Sequence, residues 1–323
     1  MEPVDGVQQR CADVVPEAGL EVDAGFLHPA PLAPGLPPEG PFDAAIGCCT
    51  YHPHLAPHFV GGILSSGTEA GRRIVRERIG ARAGVSPLGL GPSPAYASAQ
   101  RMYGALPGAF GRQRELQCPF NADSRCTIWQ HRGAPCASFH CKFERGALGA
   151  GLWNLITIAF NAVERALARW LIARTGLSAP ACDALLHAPG DPALDAAAWG
   201  EWRGREEEYF LEAARLIEPL GWSEVVALAR GELDGLGEAL SSALARFESL
   251  PIPQQARRNP EVLVQLGASV ARFRHPGASL DLLEVPTPIA ARLERFQPGP
   301  LAELGLDATL LRKLLDWQVL LPL

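Results

Sequence analysis

A chain of 323 residues, 47% hydrophobic and 20% charged, has the composition of a folded globular protein. It is long enough for about two domains and for a full core without disulfides. The net charge of −6 argues against a general attraction to nucleic acid or to an anionic membrane. No apolar run approaches the 18 or so residues of a membrane span, and the start, MEPVDGVQQRCADVV, lacks the basic and apolar regions of a signal peptide. These features predict a cytoplasmic chain with no membrane partner, whose eight cysteines stay reduced and are available to a metal.

Residues 1–41 contain PAPLAPGLPPEGP and read as a proline-rich tail. Cys11 falls in it and carries no assigned role. Residues 42–150 follow as a cysteine-cluster region. It opens with the pair Cys48-Cys49 and a histidine-rich run holding His52, His54 and His58. If that run is extended, His52 and His54 share a side and could serve a second metal; locally bonded loop histidines are the plainer reading. Ser66 is placed to cap a helix reaching about residue 82, with Ala70, Ile74, Val75 and Ile79 on its apolar face and five arginines on what reads as a solvated face. Residues 84–95 read as loop, and a weakly marked helix is expected over 96–106.

Residues 118–142, CPFNADSRCTIWQHRGAPCASFHCK, concentrate the chemistry. Cys118, Cys126, Cys136 and Cys141 are separated by seven, nine and four residues, with His131 and His140 among them. Pro119, Gly133 and Pro135 predict irregular structure. Thiolates at loop spacings, interleaved with imidazoles, suit a soft metal or an iron–sulfur cluster. The closely spaced Cys-x2-Cys knuckles of a zinc ribbon are missing, so wide spacing slightly favours iron–sulfur while zinc stays open. Cys48 and Cys49, as sequence neighbours, cannot easily face one ion together. His140 beside Cys141 and Lys142 also allows a thiol of lowered proton affinity, a weaker reading.

The pattern C-P-F-x5-C-x-I-W-x2-R-G-x2-C-x2-F-x-C, with the upstream Cys-Cys pair, resembles the YkgJ-type cysteine-cluster family, also described as the CxxCxxCC zinc- or iron-chelating domain. The resemblance covers residues 42–145. It implies Cys48, Cys49, Cys118, Cys126, Cys136 and Cys141 as metal ligands, with Ile128, Trp129 and Arg132 as framework. His140 joins the ligands as a substitute or supporting group, and Arg132 is assigned to cofactor binding as a donor near the sulfurs. The chain departs from the family where two further cysteines would precede the pair; here that place reads PFDAAIG. The flagellin lysine N-methylases are distant relatives in the same grouping. The resemblance therefore implies a protein-modifying enzyme as an alternative, although no glycine-rich S-adenosylmethionine loop is present.

Residues 151–250 predict an antiparallel bundle of three amphipathic helices. The first spans 151–175. The second begins at the cap Asp191 with Pro192 and runs to about 220. The third begins at the cap Ser223 and is stopped by Pro251. Cys182 reads as a small buried apolar residue. Residues 251–260 read as a linker. Residues 261–323, with a strand–helix–helix–strand order, suggest a small winged-helix-like module. Its candidate recognition helix, 307–317, balances Arg312 and Lys313 against Asp307 and Asp316, which disfavours nucleic acid. The fold class expected is thus mainly α: an irregular cysteine-rich metal-binding N-terminal half, a helical bundle and a winged-helix-like α+β module. Three functions are weighed: an iron–sulfur or zinc protein in a redox, sensing or structural role; a metal-dependent modifying enzyme; and a metal-stapled module that binds an unknown protein partner.

Overall fold

A computed structural model describes residues 45–46, 49–103, 111–139, 143–188, 191–276 and 282–323. The proline-rich tail, Cys11, Cys48, His140 and Cys141 lie outside the described residues. The chain is mainly helical, with 58% of the described residues in helices and 12% in small antiparallel sheets. It divides into two compact units. One takes residues up to Cys136 together with Glu164–Ala229, and the other takes Ala137–Val163 with Arg230–Leu323. The division falls inside the stretch that sequence patterning marks as one helical bundle.

The first unit is built on α1 (Pro57–Ser66) and α8 (Glu206–Ile217), which pack face to face. Val60, Ile63 and Leu64 of α1 meet a core holding Trp199, Tyr209 and Phe210, each of the three aromatics fully buried. A fully buried side chain of this size contributes about 1.5–3 kcal/mol. Sequence reading leaves α1 without an element, because Gly61-Gly62 resembles a loop signal. The glycines serve close approach instead: a Cβ on Gly61 would sit 1.9 Å from the Phe210 carbonyl oxygen. Ser66 ends α1, and Thr68 caps α2 (Glu69–Gly80), its Oγ1 accepting from the Gly71 amide at 3.0 Å.

A short hairpin follows, β1 (Val85–Ser86) with β2 (Gly89–Leu90), then α3 (Pro94–Tyr103). A second hairpin pairs β3 (Asn121–Ala122) with β4 (Arg125–Cys126). Both turn residues, Asp123 and Ser124, have positive φ, the geometry that matches strand twist in a two-residue turn. α4 (Ala134–Ser138) is a single short helix.

α5 (Gly146–Arg174) is long and apolar enough to cross a membrane by length and composition, with a mean hydropathy of 1.4, and half of that window is buried in the protein. α6 (Ala179–His187) and α7 (Pro192–Trp199) complete this side, the latter capped by Asp191 as its sequence predicts, with bonds to Ala193 and Leu194 amides at 2.8 and 3.1 Å. The second predicted helix breaks into α7 and α8, because Gly200 and Gly204 adopt positive φ between them. The third breaks likewise, into α9 (Trp222–Leu228), α10 (Arg230–Leu233) and α11 (Leu236–Ser249), with Gly235 at positive φ. α9 starts one residue before the predicted cap, and Glu224 reaches back to the Gly221 amide at 2.8 Å.

The second unit carries two three-stranded antiparallel sheets. One orders β10 (Leu320–Pro322), β5 (Gln255–Arg258) and β9 (Gly299–Pro300); the other orders β6 (Leu263–Leu266), β7 (Val270–Arg274) and β8 (Leu283–Pro286). α12 (Thr287–Arg295) and α13 (Ala308–Asp316) pack with them around Phe273, Val285, Leu293, Leu314 and Leu320. β5 occupies the stretch that reads as a linker; its alternating pattern buries Ala256 alone.

Candidate functional site

Backbone hydrogen bonds gather the cysteine segments of the first unit. The Cys118 amide donates to the Cys49 carbonyl at 2.7 Å, joining chain positions 69 residues apart. The Asn121 amide donates to the Cys118 carbonyl at 3.0 Å, and Asn121 is the register partner of Cys126 across the β3–β4 hairpin. Asn121 Nδ2 also holds the Ala45 and Ile46 carbonyls at 3.0 and 3.2 Å, tying down the turn just before the Cys-Cys pair. Thr68 Oγ1 donates to Thr127 O at 2.9 Å, so the start of α2 braces the residue after Cys126. Cys136 rides on α4, whose first amide, Ala134, donates to Glu164 Oε1 at 2.6 Å.

The thiols feel one another. Burial pushes the Cys118 thiol up to about 12, and the neighbouring Cys136 and Cys126 push it further the same way. Two groups oppose this: the Phe120 amide, hydrogen-bonded to the sulfur, and the Arg78 guanidinium. Cys118 is 8% exposed, whereas Cys49, Cys126 and Cys136 are half-buried. Cys49 and Cys118 are free thiols. Around them, burial and then Cys136, Tyr96 and Glu164 raise the Tyr51 phenol. Burial also raises Glu164 to about 7, against its bond from Ala134.

His52 is buried beside this site. Its ring stacks on Tyr96 at 3.8 Å, and Nε2 lies 2.9 Å from the Gln117 carbonyl. A carbonyl partner requires Nε2 to carry the proton, which leaves Nδ1 as a bare acceptor with no partner. Burial takes this ring down to about 4. His54 neighbours Gly91, and its carbonyl abuts Gly133. His58 packs on Phe59, with Nδ1 unpartnered, and burial takes it down to about 4, His131 acting in the same sense. The three histidines of the run therefore have three different surroundings. His131 itself reaches Ser66 Oγ at 3.2 Å. Arg132 lies over the Trp129 ring, 3.3 Å from its centroid, with Nε donating to the Trp129 carbonyl at 3.1 Å. Cys182 is fully buried in the core.

Two features fit thiolate ligation: several thiols within electrostatic range, and the Phe120 amide and the Arg78 charge, which both act against the rise of the most buried one. Among the described residues, no group of three or more His, Cys, Asp or Glu side chains stands close enough together to hold a metal ion. Cys48, His140 and Cys141, which complete the expected ligand set, lie outside them. Sequence reasoning missed Arg78, Tyr96 and Glu164. Arg78 carried a signal: with Gly71 and Val75 it occupies the buried positions of α2, at helical spacing i, i+4, i+7. No protein-family model, no curated protein and no solved structure matches this chain.

Proposed function

We propose that this chain is a cysteine-ligated metal-binding protein that keeps its thiols reduced in the cytoplasm and holds an iron–sulfur cluster or zinc in a redox, sensing or structural role. The observation that carries the reading is the gathering of Cys118, Cys126 and Cys136 within electrostatic range, with Cys49 bonded through its backbone to Cys118. Cys48 and Cys141 complete the ligand set, as the resemblance to the YkgJ-type family implies, with His140 or His131 as a supporting or substitute ligand. The finer architecture belongs to the same reading: an irregular N-terminal half stapled by metal, a helical bundle, and a winged-helix-like module built from α12, α13 and their sheets.

The test is anaerobic purification followed by the visible spectrum and the iron, zinc and sulfide content of one sample. Brown protein containing iron and sulfide makes this an iron–sulfur protein; colourless protein with about one zinc per chain makes the centre structural by default. Cys118→Ser, Cys126→Ser and Cys136→Ser should each lose metal, while Cys182→Ser retains it. Protein that binds neither metal, or all three serine variants with full metal content, overturns the proposal.

A further inference from the structure

Two buried hydrogen-bond acceptors beside the gathered cysteines have no donor. Asn121 Nδ2 commits its hydrogens to the Ala45 and Ile46 carbonyls, which fixes the amide orientation and leaves Oδ1 without a partner. His52 is the more informative of the two, because its ring is 7% exposed and held from two sides. One face stacks on Tyr96, with centroids 3.8 Å apart and planes 13° from parallel. Tyr96 is fastened in turn, its hydroxyl lying 3.2 Å from the Thr50 carbonyl and 2.9 Å from Gln100 Oε1. The edge of the imidazole is held by Nε2–H, which donates to the Gln117 carbonyl at 2.9 Å. Nδ1 is then a buried lone pair with no hydrogen to accept. The same two backbone segments carry sulfur. Cys49, three residues before His52, accepts from the Cys118 amide at 2.7 Å, and Gln117, which holds the imidazole, is the residue next to Cys118. One ring nitrogen donating to a backbone carbonyl while the other stays bare is the arrangement that orients a metal-ligating histidine.

We propose that His52 is a nitrogen ligand of the cysteine centre, binding the metal through Nδ1 while Nε2–H stays on the Gln117 carbonyl. The inference rests on the thiolate-ligation reading above and adds to it an imidazole set in place by Tyr96 and Gln117 before any metal arrives. No proton has to leave this ring on binding: Nδ1 supplies its lone pair, and the hydrogen on Nε2 remains where it is. Thiolates with one imidazole suit tetrahedral zinc, and imidazole stands in for thiolate on iron in one class of iron–sulfur centre. The role of His52 is therefore the same for either metal. It also separates His52 from His54, which the extended run places on the same side but which shares neither the Tyr96 stack nor the Gln117 bond.

Two measurements on the full chain, reduced and stripped of metal, test this. In the first, Zn²⁺ alone is titrated against a competing chelator. His52→Gln keeps an amide donor for the Gln117 carbonyl and removes the bare nitrogen, so it should weaken zinc binding by about a hundredfold. His58→Gln removes the other imidazole of the run whose Nδ1 is unpartnered, and should change the affinity by less than about threefold. A folded His52→Gln chain with wild-type zinc affinity overturns the proposal. The second measurement leaves His52 in place, so it decides the matter if His52→Gln does not fold. Imidazole ¹⁵N spectra of the wild-type chain are recorded with and without Zn²⁺, the His52 ring being identified by its proximity to the Tyr96 ring protons. Zinc should move the His52 Nδ1 resonance and leave Nε2 protonated. A ligand role and a merely structural one part here, because a ring that only packs keeps its Nδ1 resonance. Zinc uptake with that resonance unmoved overturns the role of His52 and leaves the thiolate reading standing. A wild-type chain that takes up no zinc overturns both.

Discussion

His52 should make the first unit lose stability in acid, against an opposite contribution from Glu164, which burial raises to about 7 and which gains its proton in the folded state first. The ring is buried and stacked on Tyr96, and burial is the main cause of a folded value of about 4 against 6.5 unfolded, outweighing the bond to Gln117, which acts the other way. Above pH 6.5 neither state binds the proton and the group contributes nothing to the pH dependence. Between 6.5 and 4 the unfolded chain takes up a proton that the folded chain refuses, so stability falls as pH falls through this window. At pH 5 the loss from this one ring is at most about 2 kcal/mol. His58, also brought down to about 4, adds a similar loss. The assay is urea unfolding at several pH values between 7.5 and 5. His52→Gln retains an amide donor for the Gln117 carbonyl but cannot titrate. It should be less stable than wild type at pH 7.5 and yet lose about 2 kcal/mol less on going to pH 5. A variant whose pH slope equals that of wild type refutes the assignment of this window to His52.

Gly61→Ala should destabilise by about 3 kcal/mol or more, since its Cβ meets the backbone of Phe210 rather than a side chain that can move; calorimetry of the purified variant checks it. Cys182→Ser places a hydroxyl in a fully buried apolar site where the thiol's partner, the Ala198 carbonyl, lies 3.9 Å from the sulfur, and should cost about 1–3 kcal/mol in urea unfolding, whereas Cys182→Ala should cost less. In the second unit, Asp316 accepts from Arg145 Nη2 at 2.7 Å and Nε at 3.2 Å, with both side chains largely buried. Asp316→Asn should cost about 3 kcal/mol in chemical denaturation, and replacing both partners with leucine should cost less than that single change.

Periodicity and turn chemistry made much of the helical content legible. Asp191-Pro192 predicts the start of α7, and Asp307 caps α13 with a bond to the Leu310 amide at 2.8 Å. What periodicity could not show was interruption. Gly200, Gly204 and Gly235 sit inside apolar patterns that continue across them, so two long amphipathic stripes read as two helices where the chain forms five. The stripe records which side chains reach a core. It does not record whether the backbone stays helical between them, and a glycine at positive φ resets the direction while leaving the apolar count unchanged. Gly61 and Gly62 show the converse. There the same residue type lies inside a helix because a neighbouring helix needs the space.

The candidate site was legible in its sulfurs and illegible in its charge. Cysteine spacing singled out Cys118, Cys126 and Cys136, and hydrogen bonds from Asn121 and Cys118 explain how a hairpin and an upstream strand come to the same place. Arg132, next to His131 and four residues from Cys136, looked like the cation for the sulfurs, and its guanidinium stacks on Trp129. Arg78 lies forty residues before Cys118 and was indistinguishable by type from four exposed neighbours that find carboxylates. Only its phase on α2, in register with Gly71 and Val75, separates it from them. Residue type therefore identifies atoms able to ligate, whereas which cation is buried is set by which face of a helix turns inward.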